Sequence, residues 1–193
     1  MSKNLTLVLA STSPYRKKLL ERLRLPFQTA PPHVDEDAVK HKGGDPVLLA
    51  GQLARQKAEA VLKKFPNSIV IGSDQMAVVG ATVLDKPGTA DNARAQLKLL
   101  AGNTHRLITA VCVLAPHDTY DWVEVTELTM RHLTEQEIDA YVAAEPALDC
   151  GGSYKIEGLG ISLFTHIKGS DPTAIEGLPL ISLSGVLRKI TSQ

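Results

Sequence analysis

This chain of 193 residues lacks most of the marks that assign a protein to a class at sight. It has no net charge: 21 Lys and Arg balance 21 Asp and Glu, so bulk electrostatics draws it neither to nucleic acid nor to a membrane surface. It has two cysteines, Cys112 and Cys150, too far apart in sequence for a metal-ligand spacing. No apolar run reaches membrane-spanning length, and no apolar signal stretch stands at the start. These absences lead to the expectation of reduced thiols in a cytoplasmic protein, with no membrane and no nucleic acid among its partners. Internal repeats, low-complexity tracts and linkers are missing, as is a Gly-rich loop ending in a Walker lysine, which excludes a P-loop. What is there is an ordinary globular balance, 44% hydrophobic and 22% charged. That length suits a single domain over 1–193, in one or two lobes, with a sizeable core.

The most informative stretch is Leu9-Ala10-Ser11-Thr12-Ser13-Pro14-Tyr15-Arg16. Leu5 to Ala10 predicts a buried strand, and Leu19, Leu20 and Leu23 recur at helical spacing. Ser13 as N-cap and Pro14 at the first helical position mark the join. A strand running into a helix N-terminus aims unpaired N–H groups and a partial positive charge at one spot. Ser11, Ser13 and Arg16 add hydroxyls and a full charge there. Two readings fit: a phosphate or carboxylate site, and a well-capped helix with a solvated arginine.

Further along, the first helix is expected to end near Leu25-Pro26, with a short strand over Phe27 to Ala30. The acidic loop Pro31 to Asp37 follows, and its carboxylates Asp35, Glu36 and Asp37 read either as a solvated turn or as a metal-holding loop. Asp45-Pro46 opens a second helix whose apolar stripe, Ala50, Leu53, Ala54, Ala58 and Val61, includes Lys57. An ammonium on a core-facing stripe is costly without a partner, so Lys57 is either functional or snorkels outward. Ser68 to Gly72 predicts a buried strand ending at Ser73-Asp74-Gln75, which puts Asp74 where α/β sheets gather ligand groups, or in a turn.

A hairpin around Gly80-Ala81 leads to Lys86, a second loop cation within possible reach of the anion site. Thr89 and Gly102 bound a third helix, and Arg106–Leu114 with Tyr120–Leu128 predict an antiparallel pair. Thr134 caps a helix through Ala144, then comes the glycine-dense segment Asp149 to Gly160, where the backbone bends tightly or a ligand comes close. A strand over Ile161–Ile167, a turn at Gly169–Pro172 and a helix from Leu178 to Ile190 complete the reading. His105, His132 and His166 have no partner at metal spacing and read as structural, and Trp122 reads as packing.

The polar groups in or beside turns are therefore Ser11, Ser13, Arg16, Glu36, Asp74 and Lys86, joined by Lys57. Two carboxylates suit a hard divalent cation, and the cations with the helix N-terminus suit a polyphosphate. From the residues alone the reading stops at metal-assisted chemistry on a phosphorylated ligand.

At these residues the sequence resembles the Maf-like family of nucleoside triphosphate pyrophosphatases. The matches are Leu-Ala-Ser-Thr-Ser-Pro-x-Arg from Leu9, Val-Asp-Glu at 34–36, Lys57, Gly-Ser-Asp-Gln at 72–75, Lys86-Pro87, Ile-Glu-Gly at 156–158 and Gly-Leu-Pro at 177–179. The resemblance implies an α/β fold with an elongated mixed β-sheet flanked by helices, an active-site cleft between two lobes, and a homodimer. It implies that Ser11, Ser13, Arg16 and Lys86 bind phosphates and that Lys57 neutralises them. Glu36 and Asp74 would address a divalent metal (Mg, or Mn or Co) and the attacking water, with Asp74 favoured as base. The implied substrate is a nucleotide whose α–β phosphoanhydride is split to a nucleoside monophosphate and diphosphate.

Three positions resemble the branch acting on 7-methyl-GTP: Tyr15, Gln75 and Glu157, where the branch for UTP and dTTP tends to carry arginine, threonine and glutamine. The chemistry agrees, since an aromatic face stabilises a cationic 7-methylguanine and a glutamate accepts two N–H bonds from a guanine edge. Tyr15 departs from the commoner tryptophan of that branch. The rival expectations are a pyrophosphatase for dTTP, UTP or other modified triphosphates, and a non-catalytic nucleotide-binding regulator of cell division.

Overall fold

Apolar runs bounded by capping and turn residues become the expected alternation of strands and helices. The structure is a computed structural model and describes residues 5–40 and 43–192. In chain order its elements are β1 (Leu7–Ala10), α1 (Pro14–Glu21), β2 (Phe27–Thr29), α2 (Glu36–Lys40), α3 (Pro46–Leu62), β3 (Ile69–Val79) and β4 (Thr82–Leu84). They continue as α4 (Ala90–Leu100), β5 (Thr104–Leu114), β6 (Thr119–Met130), α5 (Glu135–Ala144), β7 (Phe164–Lys168) and α6 (Leu180–Thr191). Among the described residues the strands form one sheet in the order β2-β1-β3-β5-β6-β7, with β4 beside β3. The sheet is mixed, since β1 pairs in parallel with β2 and β3 while β4 and β7 pair antiparallel with β3 and β6. The α/β class read from the sequence is what the chain forms.

The chain divides into two compact units, the first made of residues 1–75, 109–124 and 171–193, the second of 76–108 and 125–170. In the first unit, Leu9, Leu20, Ile71, Val113, Leu183 and Leu187 belong to one buried cluster, which seats α1 and α6 against the strands. Trp122 packs on the edge of this cluster, as expected. In the second unit, His105 is buried and its Nε2 lies 2.7 Å from the Tyr154 hydroxyl, whose ring meets Phe164 edge to face. Burial pushes His105 down to about 4, so it packs as a neutral imidazole. Its structural role was the one expected. Both cysteines are free thiols, and no described helix is long and apolar enough to cross a membrane.

Several boundaries differ from the sequence reading. Helix α1 stops at Glu21, and a turn containing Arg24 at φ 54° follows, well before Leu25-Pro26. The acidic loop is partly helical: α2 begins at Glu36, with the Asp35 carboxylate accepting the Ala38 N–H at 3.0 Å. The strand expected over Ile161–Ile167 starts at Phe164, because Leu159–Leu163 forms a 3₁₀ turn. The largest difference is β3, which does not end at Gly72 but continues to Val79, so Asp74 sits inside a strand. What does end at Gly72 is the parallel pairing, whose last partners are Ala10 and Gly72. Polar Ser73 and Asp74 do not break the strand because each has a partner.

Candidate active site

The first unit brings together its candidate site residues from four pieces of chain. The first is the segment between β1 and α1. Ser13 caps α1, its Oγ accepting the Arg16 N–H at 3.4 Å, and its own N–H donates to Ser11 Oγ at 3.0 Å. Both hydroxyls thus act as acceptors within the turn, and each keeps a proton to donate. This is the capped helix N-terminus that the sequence predicts, with Pro14 at its first position. Tyr15 lies beside it, half-buried.

The second piece is α3. Its buried stripe includes Lys57, only 4% exposed, so the side chain does not snorkel. The ammonium Nζ lies 2.6 Å from Asp74 Oδ1 and 2.7 Å from Glu36 Oε1. The third piece, β3, brings Asp74 there because α3 approaches it closely. At Gly72 a Cβ would stand 2.1 Å from the Ala54 carbonyl oxygen and 2.8 Å from the Ala58 nitrogen. Only a glycine admits this contact, and Lys57 is on the same turn of α3. The Gly72 of the Gly-Ser-Asp-Gln motif is thus the residue that sets the Lys57–Asp74 distance.

The fourth piece is the turn before α6. Gly177 has φ 99°, and its carbonyl accepts from Arg16 Nε at 2.9 Å and from Ser73 Oγ at 2.8 Å. A Cβ on Gly177 would stand 3.2 Å from Arg16 Nε. The turn is fixed from the other side by buried Asp171, whose Oδ1 accepts from the Thr173 N–H and hydroxyl and whose Oδ2 accepts from the Ile181 N–H at 2.6 Å. Sequence reading took Asp171 only as part of a turn, and Thr173 was missed. The signal was available as Asp-Pro-Thr, an Asx turn leading into a helix start. Gln75 ties the same turn to β5: its Nε2 approaches Thr109 Oγ1 and the Ala174 carbonyl at 2.8 Å and the Ile175 carbonyl at 3.0 Å.

The electrostatics follow from this geometry. Desolvation pulls the Arg16 guanidinium down from its ordinary value, and the charges of Asp74 and Glu36 push it back up. Two carboxylates and two cations therefore share the site. One group is left over: Asp74 Oδ2 is buried and has no hydrogen-bond partner among the described residues. A buried polar atom without a partner costs about 1–3 kcal/mol, which a water, a hydroxyl or a cation arriving there would relieve. Two carboxylates with one spare oxygen fit a hard divalent cation that completes its shell with water and phosphate oxygens. Among the described residues no three or more His, Cys, Asp or Glu side chains are grouped to hold a metal by themselves.

Of the residues predicted from sequence, the first unit thus joins Glu36, Lys57 and Asp74 directly, and links Ser11, Ser13, Arg16 and Gln75 by hydrogen bonds around the Gly177 turn. Lys86 and Glu157 belong to the second unit, where both are exposed.

The family model described as Maf-like protein matches residues 6–190. A 7-methyl-GTP pyrophosphatase of Xanthomonas oryzae pv. oryzae is 50% identical over 183 residues, 95% of either chain. One of Polaromonas sp. is 49% identical over 177 residues, which cover 91% of this chain and 80% of that relative. One of Nitrosococcus oceani is 44% identical over 186 residues, covering 95% and 92% of the two chains.

Proposed function

This chain belongs to the Maf-like proteins, and on that footing we propose that it is a nucleoside triphosphate pyrophosphatase that converts 7-methyl-GTP to 7-methyl-GMP and diphosphate. The observation that carries the chemistry is the Lys57 ammonium held between Glu36 and Asp74, with Asp74 Oδ2 buried and without a partner among the described residues. The relatives named as 7-methyl-GTP pyrophosphatases, at 50% and 49% identity, support the substrate.

In this reading Lys57 fixes Asp74 through Oδ1 and leaves Oδ2 to take a proton from the attacking water. The water oxygen bonds to the α-phosphorus as the bond from that phosphorus to the bridging oxygen breaks, and diphosphate leaves with the electron pair. Arg16 meets the negative charge that builds up in that step, and Lys57 offsets the charge of the carboxylates around it. The N-terminus of α1 and the Ser11 and Ser13 hydroxyls supply neutral donors for phosphate oxygens. Lys86 is assigned to phosphate binding on the family resemblance alone. A divalent cation held by Glu36 and Asp74, magnesium with manganese or cobalt as substitutes, would supply Lewis acidity and bind phosphate oxygens.

Base selection in this proposal falls to Tyr15, by stacking on a cationic ring, and to Glu157, by accepting two N–H bonds. Gln75 contributes from inside, since its amide nitrogen is committed to the turn at 174–175. The homodimer and the cytoplasmic setting implied by the family resemblance complete the proposal. A panel of canonical and methylated triphosphates with magnesium, read by diphosphate release, tests it. Fastest release from 7-methyl-GTP is expected. A preference for UTP or dTTP would move the protein to the pyrimidine branch, and no release from any triphosphate would leave a binding protein.

A further inference from the structure

The residue that selects the base in this reading, Glu157, stands on the glycine-rich stretch between α5 and β7. We propose that Glu145 is a positioning residue for base selection, its carboxylate clamping the loop that presents Glu157. The proposal rests on Glu157 reading the base.

The geometry lies wholly within the second unit. Glu145 follows α5. Its Oε1 accepts from the Leu159 N–H at 3.2 Å, and its Oε2 accepts from the Gly160 N–H at 3.1 Å and from the Tyr141 hydroxyl at 3.0 Å. The same Tyr141 hydroxyl accepts from the Lys155 N–H at 3.1 Å. Three backbone N–H groups on both sides of Glu157 therefore converge on one tyrosine–glutamate pair. The loop also closes on itself, with the Gly158 N–H donating to the Lys155 carbonyl at 3.2 Å. At Gly158 a Cβ would stand 2.0 Å from Glu145 Oε1, so the glycine of the Ile-Glu-Gly motif is what lets the carboxylate reach the backbone. Glu157 is left exposed at the outside of a loop tied at either end.

A glutamate is an unexpected residue here. The C-terminal end of a helix carries partial negative charge and favours a cation, so helix capping does not explain Glu145. The loop does explain it. A carboxylate has acceptors only, and it is the side chain that can take three donors on two oxygens. An amide in its place would turn one of those oxygens into a donor facing a donor.

The test compares ligands that contain the base with one that lacks it. KM and kcat for 7-methyl-GTP, and inhibition constants for 7-methyl-GMP and for diphosphate, are measured for the full-length protein and for Glu157→Gln, Glu145→Gln, Tyr141→Phe and the Glu145→Gln/Glu157→Gln double variant. Glu145→Gln is expected to raise KM and the 7-methyl-GMP constant about tenfold, with kcat and the diphosphate constant within about twofold. Tyr141→Phe should act in the same direction, about threefold, and it carries the test if Glu145→Gln does not fold. In the double variant Glu145→Gln should add less than about twofold to the effect of Glu157→Gln alone, because both act through one contact. If Glu157→Gln weakens 7-methyl-GMP while Glu145→Gln and Tyr141→Phe do not, the clamp is overturned and the base reading stands. The clamp is equally overturned if they weaken diphosphate as much as 7-methyl-GMP. If Glu157→Gln itself leaves 7-methyl-GMP binding unchanged, the base reading fails and the clamp falls with it.

Discussion

The two units hold their polar groups in opposite ways. In the first, the buried charges of Lys57 and Asp74 compensate one another, with half-exposed Glu36 on the other side of the ammonium. In the second, the buried polar groups include the neutral His105–Tyr154 pair, and the acidic side chain assigned to selection, Glu157, stands in solvent on a loop gripped by hydrogen bonds. Burial raises the Tyr141 and Tyr154 phenols above their ordinary range, so both remain uncharged. Breaking a buried, compensated charge disturbs both the reaction and the fold, because the partner is left in a poor environment. Altering an exposed selecting residue disturbs recognition and leaves the fold alone. The contrast separates chemistry from selection and can be tested on each side.

The largest effect is expected at Asp74. Asp74→Asn keeps the shape but removes the proton acceptor, and kcat should fall on the order of 10²–10⁴-fold as read by diphosphate release; circular dichroism should still show a folded chain, but denaturant unfolding should show lost stability, because buried Lys57 keeps only Glu36. A variant that keeps most of its kcat would shift the base assignment to Glu36. Next comes Lys57→Ala. It leaves a buried carboxylate without its cation, so denaturant unfolding should show a loss of about 3–5 kcal/mol together with a tens- to hundreds-fold loss of kcat/KM. Unchanged stability would mean that the first unit does not depend on compensation, and the contrast between the units would collapse.

On the other side, Glu157→Gln should lower kcat/KM for 7-methyl-GTP about thirty- to a hundredfold, and much less for UTP, with unfolding unaltered. Equal losses for both substrates would make Glu157 structural. The smallest effect is a pH dependence of stability from the second unit. His105 is depressed to about 4 in the folded chain, against about 6.5 when unfolded. The unfolded state therefore binds the extra proton first as pH falls, and stability contributed by neutral His105 is full above 6.5 and is lost between 6.5 and 4. Lowering pH from 7.5 to 4.5 should cost about 2–3 kcal/mol through this group, a loss that His105→Asn should remove from the pH profile of denaturant unfolding.

Much of this was legible in the sequence where local chemistry leaves a local trace. Ser13-Pro14, Asp45-Pro46 and Thr134 announce helix starts, and all three cap as read. Lys57 stood out because an ammonium does not belong on an apolar stripe. The site residues that escaped notice act at long range. Asp171 and Thr173 matter because the turn they hold returns to Arg16 across 161 positions of chain, at Gly177. The end of β3 was misplaced for a related reason: Ser73 and Asp74 look like strand breakers until their partners at Gly177 and Lys57 are known. Glycine spacing likewise told that close contacts exist in 151–160 but could not say that Glu145 makes them.

The bond from Arg16 Nε to the Gly177 carbonyl has an entropic consequence. An arginine side chain on a surface samples many rotamers, and ordering one takes up to about 2 kcal/mol at room temperature. Here one nitrogen of the guanidinium is already anchored to a turn that Gln75 and Asp171 immobilise. The remaining N–H groups share its plane, so they are aimed before any phosphate arrives. The ordering of this side chain is completed when the protein folds, and the free energy of phosphate binding is not reduced by it.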